Sequence, residues 1–427
     1  MLWAALTFFC VLSAYYVLRP VRDALVLDGD PAFIPWLFTA TFALMLAVAA
    51  PWGAMVARWP RAQLVARAYR LFIAQLLLFA ALLALDVAPM VVGKVFYVWV
   101  SMFNLFVVSV FWSLCADLIR PEQGRRIFGL IAAGGSAGAL AGPAMTRALA
   151  AHLDTELLLV LSALLMELAT WCAGRLQRAA HGLAQAPAAP AGDERAAAAP
   201  AAEPAQAIGG AALAGFPRVA RSPYLVGIAS YVVAAACLAT FVYLRQAEIV
   251  KRALPVRAER TEFFAEVELW TSIITLGLQL LVTARLLRWL GAGVVLAALP
   301  LAQGVGALAL AAQPTLAVTT AVSSVGRALT HGLSRPTREW LFTAVAREDK
   351  YKAKNLIDTF VVRFGDFGSA WLLSGLAAAG VGAVAVIAPL AVVWTLIALA
   401  LGREHRWRVQ ALQDAQAPNQ APNQAPR

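Results

Sequence analysis

Long apolar segments constrain the fold of this chain more than any other feature of the sequence. Apolar residues make up 61% of the 427 residues, and charged residues make up only 14%. A helix crosses the hydrocarbon core of a bilayer with about 20 apolar residues, because each residue rises about 1.5 Å. Such segments predict twelve transmembrane helices, over residues 2–26, 33–57, 68–87, 89–118, 127–150, 155–175, 224–245, 263–287, 291–312, 315–342, 356–379 and 381–402.

A change in composition separates the first six predicted helices from the last six. Residues 179–221 are rich in Ala, Pro and Gly, and their few bulky apolar side chains cannot offset the entropy lost on ordering. We therefore expect an all-α membrane protein with a six-helix half at 1–178 and a disordered cytoplasmic linker at 179–221. A second six-helix half at 222–404 and a disordered cytoplasmic tail at 405–427 complete the predicted plan.

The distribution of basic residues predicts the orientation of the chain. There are 35 Lys and Arg and 24 Asp and Glu, which gives a net charge of +11. Most of the basic residues lie in alternate short loops, and cytoplasmic loops are enriched in Lys and Arg. We expect an inner-membrane protein with both termini in the cytoplasm, and we interpret the charge as a topology signal, not as a nucleic-acid surface. The four Cys residues are far apart in apolar segments, so no metal site or other cofactor is expected.

Ionisable residues inside the apolar segments are candidates for a binding site, because charge within a bilayer is costly. In the tenth predicted helix, Arg327, His331 and Arg335 recur every four residues and would share a face that suits an anion. Alternatively, Arg335 extends to the membrane surface and His331 is a neutral packing residue. In the eleventh predicted helix, Arg363 and Asp366 are spaced to pair, either as a structural couple or as a pair that substrate or a proton opens.

A second candidate site lies at the end of the first predicted helix. Tyr16, Arg19, Arg22 and Asp23 share this region and would receive phosphate or carboxylate groups, or else anchor the helix at headgroup depth. In the fourth helix, Asn104 either bonds a ligand or forms an interhelical hydrogen bond.

The two halves carry traces of duplication. The segment ending in Arg245 in the seventh helix is similar to the segment ending in Arg19, so Arg245 is also a candidate substrate-binding residue. The fifth helix of each half is rich in Gly. Chance similarity in an apolar chain is the alternative explanation. Polar residues near the predicted inner helix ends are candidates for gating: Asp117, Arg120, Arg125, Arg335, Arg338, Glu339, Lys352 and Asp358.

Two parts of the sequence resemble the nucleotide (ATP:ADP) antiporter family, a relative of the major facilitator superfamily. The first is Leu18–Val26 followed by Ile34-Pro-Trp-Leu, where Arg22 stands at the family's lysine position. The second is Ser334-Arg-Pro-Thr-Arg-Glu-Trp, followed by Asp349–Asp358 and Arg363-Phe-Gly. The resemblance implies a major facilitator-like fold and the exchange or uptake of a nucleotide-like anion. Asp366 stands where the family has a further lysine.

We therefore expect a secondary transporter of a small organic anion that works by alternating access between its halves. No phosphate-binding loop or hydrolase motif is present, so we do not expect an enzyme or an ATP-driven pump. Two alternatives remain open. One is a proton-coupled transporter of another solute, in which Asp366, Glu167 or His331 titrates. The other is a membrane scaffold or sensor that does not transport.

Overall fold

The computed structural model describes residues 2–58, 61–118, 121–185, 216–345 and 347–416, and within these ranges it contains helices and no strand. The helices of the N-terminal part are α1 (Leu2–Val26), α2 (Ile34–Arg58), α3 (Arg61–Ala84), α4 (Pro89–Leu118), α5 (Pro121–Leu149) and α6 (Thr155–Gln185). They are followed by α7 (Phe216–Arg221), α8 (Pro223–Ala253), α9 (Arg257–Gly277), α10 (Thr283–Ala312), α11 (Leu316–Leu329), α12 (Arg335–Leu341), α13 (Arg347–Asn355), α14 (Val362–Ala378) and α15 (Ala383–Gln416).

Three π-helical turns interrupt the helices of the C-terminal part. They span Leu278–Val282, Thr330–Ser334 and Leu356–Val361, so that α9 continues into α10, α11 into α12, and α13 into α14. Short 3₁₀ turns occupy Pro31–Phe33 and Phe342–Ala344. A π turn holds one residue more than an α turn and is often found near functional sites.

Nine helical stretches in the described part of the chain are long and apolar enough to cross a membrane. One of them, Arg257–Ala312, contains two predicted spans, and Gly291 breaks it with a φ of +75°, a conformation that suits glycine. The predicted spans 315–342 and 356–379 are also helical, but they carry ionisable residues such as Arg327 and Arg363. The protein is thus an all-α, multi-pass membrane protein.

The helix bounds correct the predicted linker and tail. α6 runs to Gln185 and α7 begins at Phe216, while α15 runs to Gln416, so part of the predicted linker and residues 405–416 of the predicted tail are helical. These segments are polar but rich in Ala, Arg, Gln and Leu, which favour helix, and hydropathy alone does not detect that preference. Residues 186–215 and 417–427 of the predicted linker and tail lie outside the described residues.

The chain divides into two compact units. Unit 1 comprises Met1–Gln206 with Ala247–Ile273, and unit 2 comprises Ala207–Gln246 with Ile274–Arg427. The predicted halves at 1–178 and 222–404 stay a prediction. In unit 1, α1 packs against α4, α5 and α6. In unit 2, α10 packs against α15 and α11.

Glycines set the distance between α1 and α5 in unit 1. Gly134, Gly138 and Gly142 are spaced by four residues, and a Cβ at any of them would collide with the α1 backbone. The hydroxyl of Ser13 donates to the carbonyl oxygen of Gly138 at 3.4 Å. Small residues of this kind let helices pack closely without a hydrophobic driving force. In the corresponding region of unit 2, a Cβ at Gly365 would lie 2.8 Å from the Ala236 Cβ, whereas Gly368 and Gly375 have open space.

Candidate functional site

A buried ion pair in unit 1 joins α1 to α9. The Arg19 Nη1 donates to the Glu268 Oε2 at 3.0 Å, and the two side chains are 19% and 2% exposed. Val17, Leu18, Ala265 and Val267 around the pair are fully buried. In such surroundings each charge stabilises the other, and either one alone would be costly. Glu268 is not among the predicted site residues, although two acids inside the predicted span 263–287, Glu266 and Glu268, were the signal that could have indicated it.

A second charged group lies one turn further along α1. Arg22 donates through Nε and Nη2 to the Asp23 Oδ1, at 2.9 and 2.7 Å, and through Nη1 to the Ser101 hydroxyl at 3.4 Å. Its guanidinium carbon lies 4.5 Å from the centre of the Tyr97 ring. The Asp23 side chain is only 5% exposed. The pair is therefore held by α1 and α4 together, with a cation–π contact that favours the charged guanidinium.

A third group ties the loop after α1 to the ends of α8 and α9 within unit 1. Asp28 accepts from the Arg257 Nη2 at 2.6 Å and from the Arg260 Nη2 at 2.8 Å. The Lys251 ammonium donates to the carbonyl oxygen of Gly29. The sequence pattern marks these basic residues only as topology signals, and Asp28 is not among the predicted site residues. One carboxylate thus organises two arginines from another part of the chain.

We call Arg19, Arg22, Asp23, Asp28 and Glu268, together with Arg257 and Arg260, the α1 ionic cluster. Two aromatic side chains of α1 lie close in sequence to Arg19. They are Tyr15 and Tyr16, whose ring centres are 5.2 Å apart, and Tyr16 is half-buried. Arginines of this kind recognise phosphate and carboxylate groups through two parallel N–H donors, while aromatic faces accept flat rings. The α1 ionic cluster has the chemistry needed to bind an organic anion.

The candidates of the tenth predicted helix lie in unit 2. The Arg327 Nε donates to the Ser323 carbonyl oxygen at 3.4 Å, and Gln279 donates to the carbonyl oxygen of His331 at 3.2 Å. Arg327 and His331 are half-buried, and Arg335 is exposed. The π turn Thr330–Ser334 separates Arg327 from Arg335. The α-helical period that predicts a shared face for these residues is therefore interrupted between them. The shared face of these residues stays a prediction.

Contacts between two π turns stabilise this part of unit 2. The Thr283 hydroxyl, directly after the turn Leu278–Val282, donates to the Gly332 carbonyl oxygen at 2.8 Å. Gly332 lies against the Leu278 side chain, where a Cβ would approach within 2.9 Å. In the turn Thr330–Ser334, the carbonyl oxygens of His331 and Gly332 therefore accept hydrogen bonds from side chains of the neighbouring helix.

Three further ion pairs of unit 2 involve predicted site or gating residues. Arg363 and Asp366 lie 3.4 Å apart and are both about one-third exposed. Arg338 pairs with Asp358 at 2.6 Å. Glu339 pairs with Lys354 at 2.6 Å. Lys354 is not among the predicted gating residues.

The remaining predicted residues are more scattered. Asn104 is half-buried on α4, Asp117 is exposed near the end of the same helix, and Arg245 on α8 and Lys352 on α13 are half-buried. Arg120 and the Arg125 side chain lie outside the described residues. Within the described ranges, no group of three or more His, Cys, Asp or Glu residues could hold a metal ion.

No protein-family model matches the sequence, and no curated protein matches it. Several solved structures do share its fold. The nucleoside transporter NupG is 12% identical with a TM-score of 0.59, and the match covers 95% of this chain and 97% of NupG. A bacterial homologue of the iron transporter ferroportin, in its inward-facing state, is 12% identical with a TM-score of 0.60, and 94% of this chain and 96% of that one are covered. A POT family transporter in complex with 5-aminolevulinic acid is 12% identical with a TM-score of 0.61, and the match covers 94% of this chain and 96% of that one.

At these identities the likeness defines the fold alone. The chain shares the fold of these solved transporter structures, and its all-α membrane class agrees with the sequence analysis.

Proposed function

We propose that the protein is a secondary transporter that moves a small organic anion by alternating access. The observation that carries this proposal is the α1 ionic cluster, in which buried arginines are neutralised by carboxylates of the protein itself. A phosphate or carboxylate of a substrate can replace Glu268 beside Arg19, or Asp23 beside Arg22, without leaving an arginine unpaired. When the substrate leaves, the carboxylates return and restore neutrality. The major facilitator-like fold supports transport over catalysis.

A nucleotide-like anion is the substrate class that we favour. Arg22 stands at the lysine position of the motif that resembles the nucleotide antiporters, and it is half-buried beside Tyr97. Arginine presents a planar fork to phosphate, and the neighbouring tyrosines offer faces on which a base can stack. The name of the fold relative NupG, a nucleoside transporter, is compatible with a substrate that carries a base. Exchange of one anion for another would need no energy source besides the two gradients.

Uptake into liposomes containing the purified protein tests the proposal. The panel of labelled solutes should contain ATP, ADP, nucleosides, dicarboxylates and short peptides. We expect uptake of a phosphorylated or carboxylated member, and loss of that uptake in Arg22→Gln and in Arg327→Ala. If no member enters while the protein remains folded, the chain is a scaffold or sensor and the proposal fails. Uptake of an uncharged member alone would also refute it.

Glu268 makes proton coupling the second candidate mechanism. Intramembrane carboxylates mark the proton relays of many transporters, and the Glu268 carboxylate is only 2% exposed. Glu268→Gln would then retain exchange but lose accumulation driven by a proton gradient. Dissipating the gradient distinguishes the mechanisms, because it stops proton-coupled accumulation and leaves pure exchange intact.

The inner-membrane location and the cytoplasmic termini stay predictions from the basic loops. Reporter fusions after α6 and at the C-terminus would check them, since both are expected to be active only in the cytoplasm.

A further inference from the structure

A surface cavity lies on α15 in unit 2. It has a volume of about 400 Å³ and is lined by Leu396, Leu399, Ala400, Arg403, Glu404 and Trp407. One end is apolar and the other is charged and aromatic. The apolar residues belong to the membrane-spanning part of α15, whereas Arg403 begins its polar part. The cavity therefore crosses the level at which hydrocarbon gives way to headgroups.

The charges at the polar end leave the cavity electropositive. The Glu404 carboxylate accepts from the Arg408 Nε at 2.8 Å, and Arg408 also lies over the Tyr224 ring at 4.7 Å. The acidic residue of the cavity is thus already neutralised. Arg403 is exposed, and within the described part of the chain no carboxylate pairs with it. Arg406 is exposed beside it on the same helix.

Exposed tryptophan side chains occur on two helices that pack against each other. Trp407 in the cavity is 63% exposed, and Trp289 near the start of α10 is 77% exposed. The two helices are in contact nearby, where a Cβ at Gly402 would collide with Gly293. Exposed tryptophan is costly in water but favourable at the boundary of a bilayer, where the ring meets lipid and the N–H meets headgroups. The surface thus has the features of a membrane interface and not of a soluble one.

We propose that this cavity binds one anionic phospholipid of the surrounding membrane. Its phosphate and anionic headgroup lie against Arg403, the indole of Trp407 lies at the level of the glycerol, and an acyl chain follows Leu396 and Leu399. The apolar half of the cavity favours a lipid over a free anion, because a free anion would leave that half unfilled. The basic half favours an anionic lipid over a zwitterionic one, since each arginine near the surface attracts anionic headgroups.

Thermal unfolding of the full chain in neutral detergent tests the proposal. Dioctanoyl phosphatidylglycerol should raise the unfolding temperature in a saturable way, because a ligand that binds only the folded state stabilises it. Dioctanoyl phosphatidylcholine and inorganic phosphate at the same concentrations should not. Arg403→Gln should raise the half-saturating phosphatidylglycerol concentration by about fivefold, the loss expected for one arginine near an anionic lipid.

Two variants control this measurement. Arg178→Gln removes an exposed arginine near the end of α6 that donates to the carbonyl oxygen of Gly174 in the same helix. This variant should respond to the lipid as the unchanged protein does. Trp407→Ala provides a second test at an exposed position should Arg403→Gln fold poorly, and it too should weaken the response. Equal stabilisation by phosphatidylcholine or by phosphate would overturn the proposal. An unchanged half-saturating concentration in both cavity variants would do the same.

Discussion

Breaking the Arg19–Glu268 pair should destabilise the protein far more than breaking an exposed ion pair with a shorter distance between its charged atoms. Glu268→Leu leaves the Arg19 guanidinium, which is 19% exposed, without its countercharge. Removing one partner of a buried pair typically costs about 3–5 kcal/mol. Because some water still reaches Arg19, we expect about 3 kcal/mol, which lowers the equilibrium constant for folding by roughly 100-fold.

The double variant Arg19→Met with Glu268→Leu removes both charges. Replacing a buried ion pair by apolar side chains is often neutral, so this variant should unfold within about 1 kcal/mol of the unchanged protein. The Lys354–Glu339 pair provides the control, because its atoms are 2.6 Å apart but its side chains are 35% and 49% exposed. An exposed pair contributes only about 0–1 kcal/mol, whatever its length.

Reversible unfolding in mixed detergent micelles, followed by tryptophan fluorescence, supplies the free energies. The four proteins of each cycle give a coupling energy for the pair. A coupling of about 2 kcal/mol or more at Arg19–Glu268 and of under about 1 kcal/mol at Lys354–Glu339 is expected. If the Arg19–Glu268 double variant loses as much stability as the two single variants combined, the pair is not a neutralised buried couple and the reasoning is refuted.

Three further results are expected from the packing and hydrogen bonds. Gly138→Ala should destabilise the protein by about 1–3 kcal/mol, because its Cβ would meet the α1 backbone. Gly129→Ala has open space around its Cβ and should stabilise the protein by up to about 1 kcal/mol. Equal effects of the two variants in thermal unfolding would contradict the close approach of α1 and α5. Thr283→Val should cost about 1–2 kcal/mol, because it leaves the Gly332 carbonyl oxygen without its side-chain donor. Thr395→Val should cost less, since its hydroxyl donates to the Ala391 carbonyl oxygen in its own helix, and denaturant titration compares the two. Asp28→Asn should increase protease sensitivity near residues 254–257, because Arg257 and Arg260 both lose their charged partner. An unchanged cleavage rate would argue against a stabilising role for these two ion pairs.

Hydropathy was sufficient to predict the fold class. Apolar length fixes where a helix can cross a membrane, so the helices and the fold likeness agree with the prediction. It was not sufficient for the helix ends, because the polar turns at the end of α6 and α15 are stabilised by helix propensity and not by burial. The π turns were also not predictable, since they depend on contacts such as the one between Thr283 and Gly332.

The candidate site was predictable only in part. Arg19, Arg22 and Asp23 stand out because charge in an apolar helix is rare. Glu268, the partner of Arg19, is distant in sequence, and so are Arg257 and Arg260, the partners of Asp28. No local pattern connects these residues. The predicted face containing Arg327, His331 and Arg335 assumed a regular α-helix, and the turn at Thr330–Ser334 removes that assumption. A charge can be recognised from sequence, but its countercharge depends on how the helices pack.

Counterflow in liposomes tests the central claim most directly. Vesicles containing the purified protein are loaded with an unlabelled nucleotide, or left empty, and the entry of labelled nucleotide is timed. Transport by exchange predicts rapid entry into loaded vesicles and slow entry into empty ones, with Arg22→Gln abolishing the difference and Arg178→Gln preserving it. Equal entry into loaded and empty vesicles, or an Arg22→Gln protein as active as the unchanged one, would contradict anion exchange at the α1 ionic cluster.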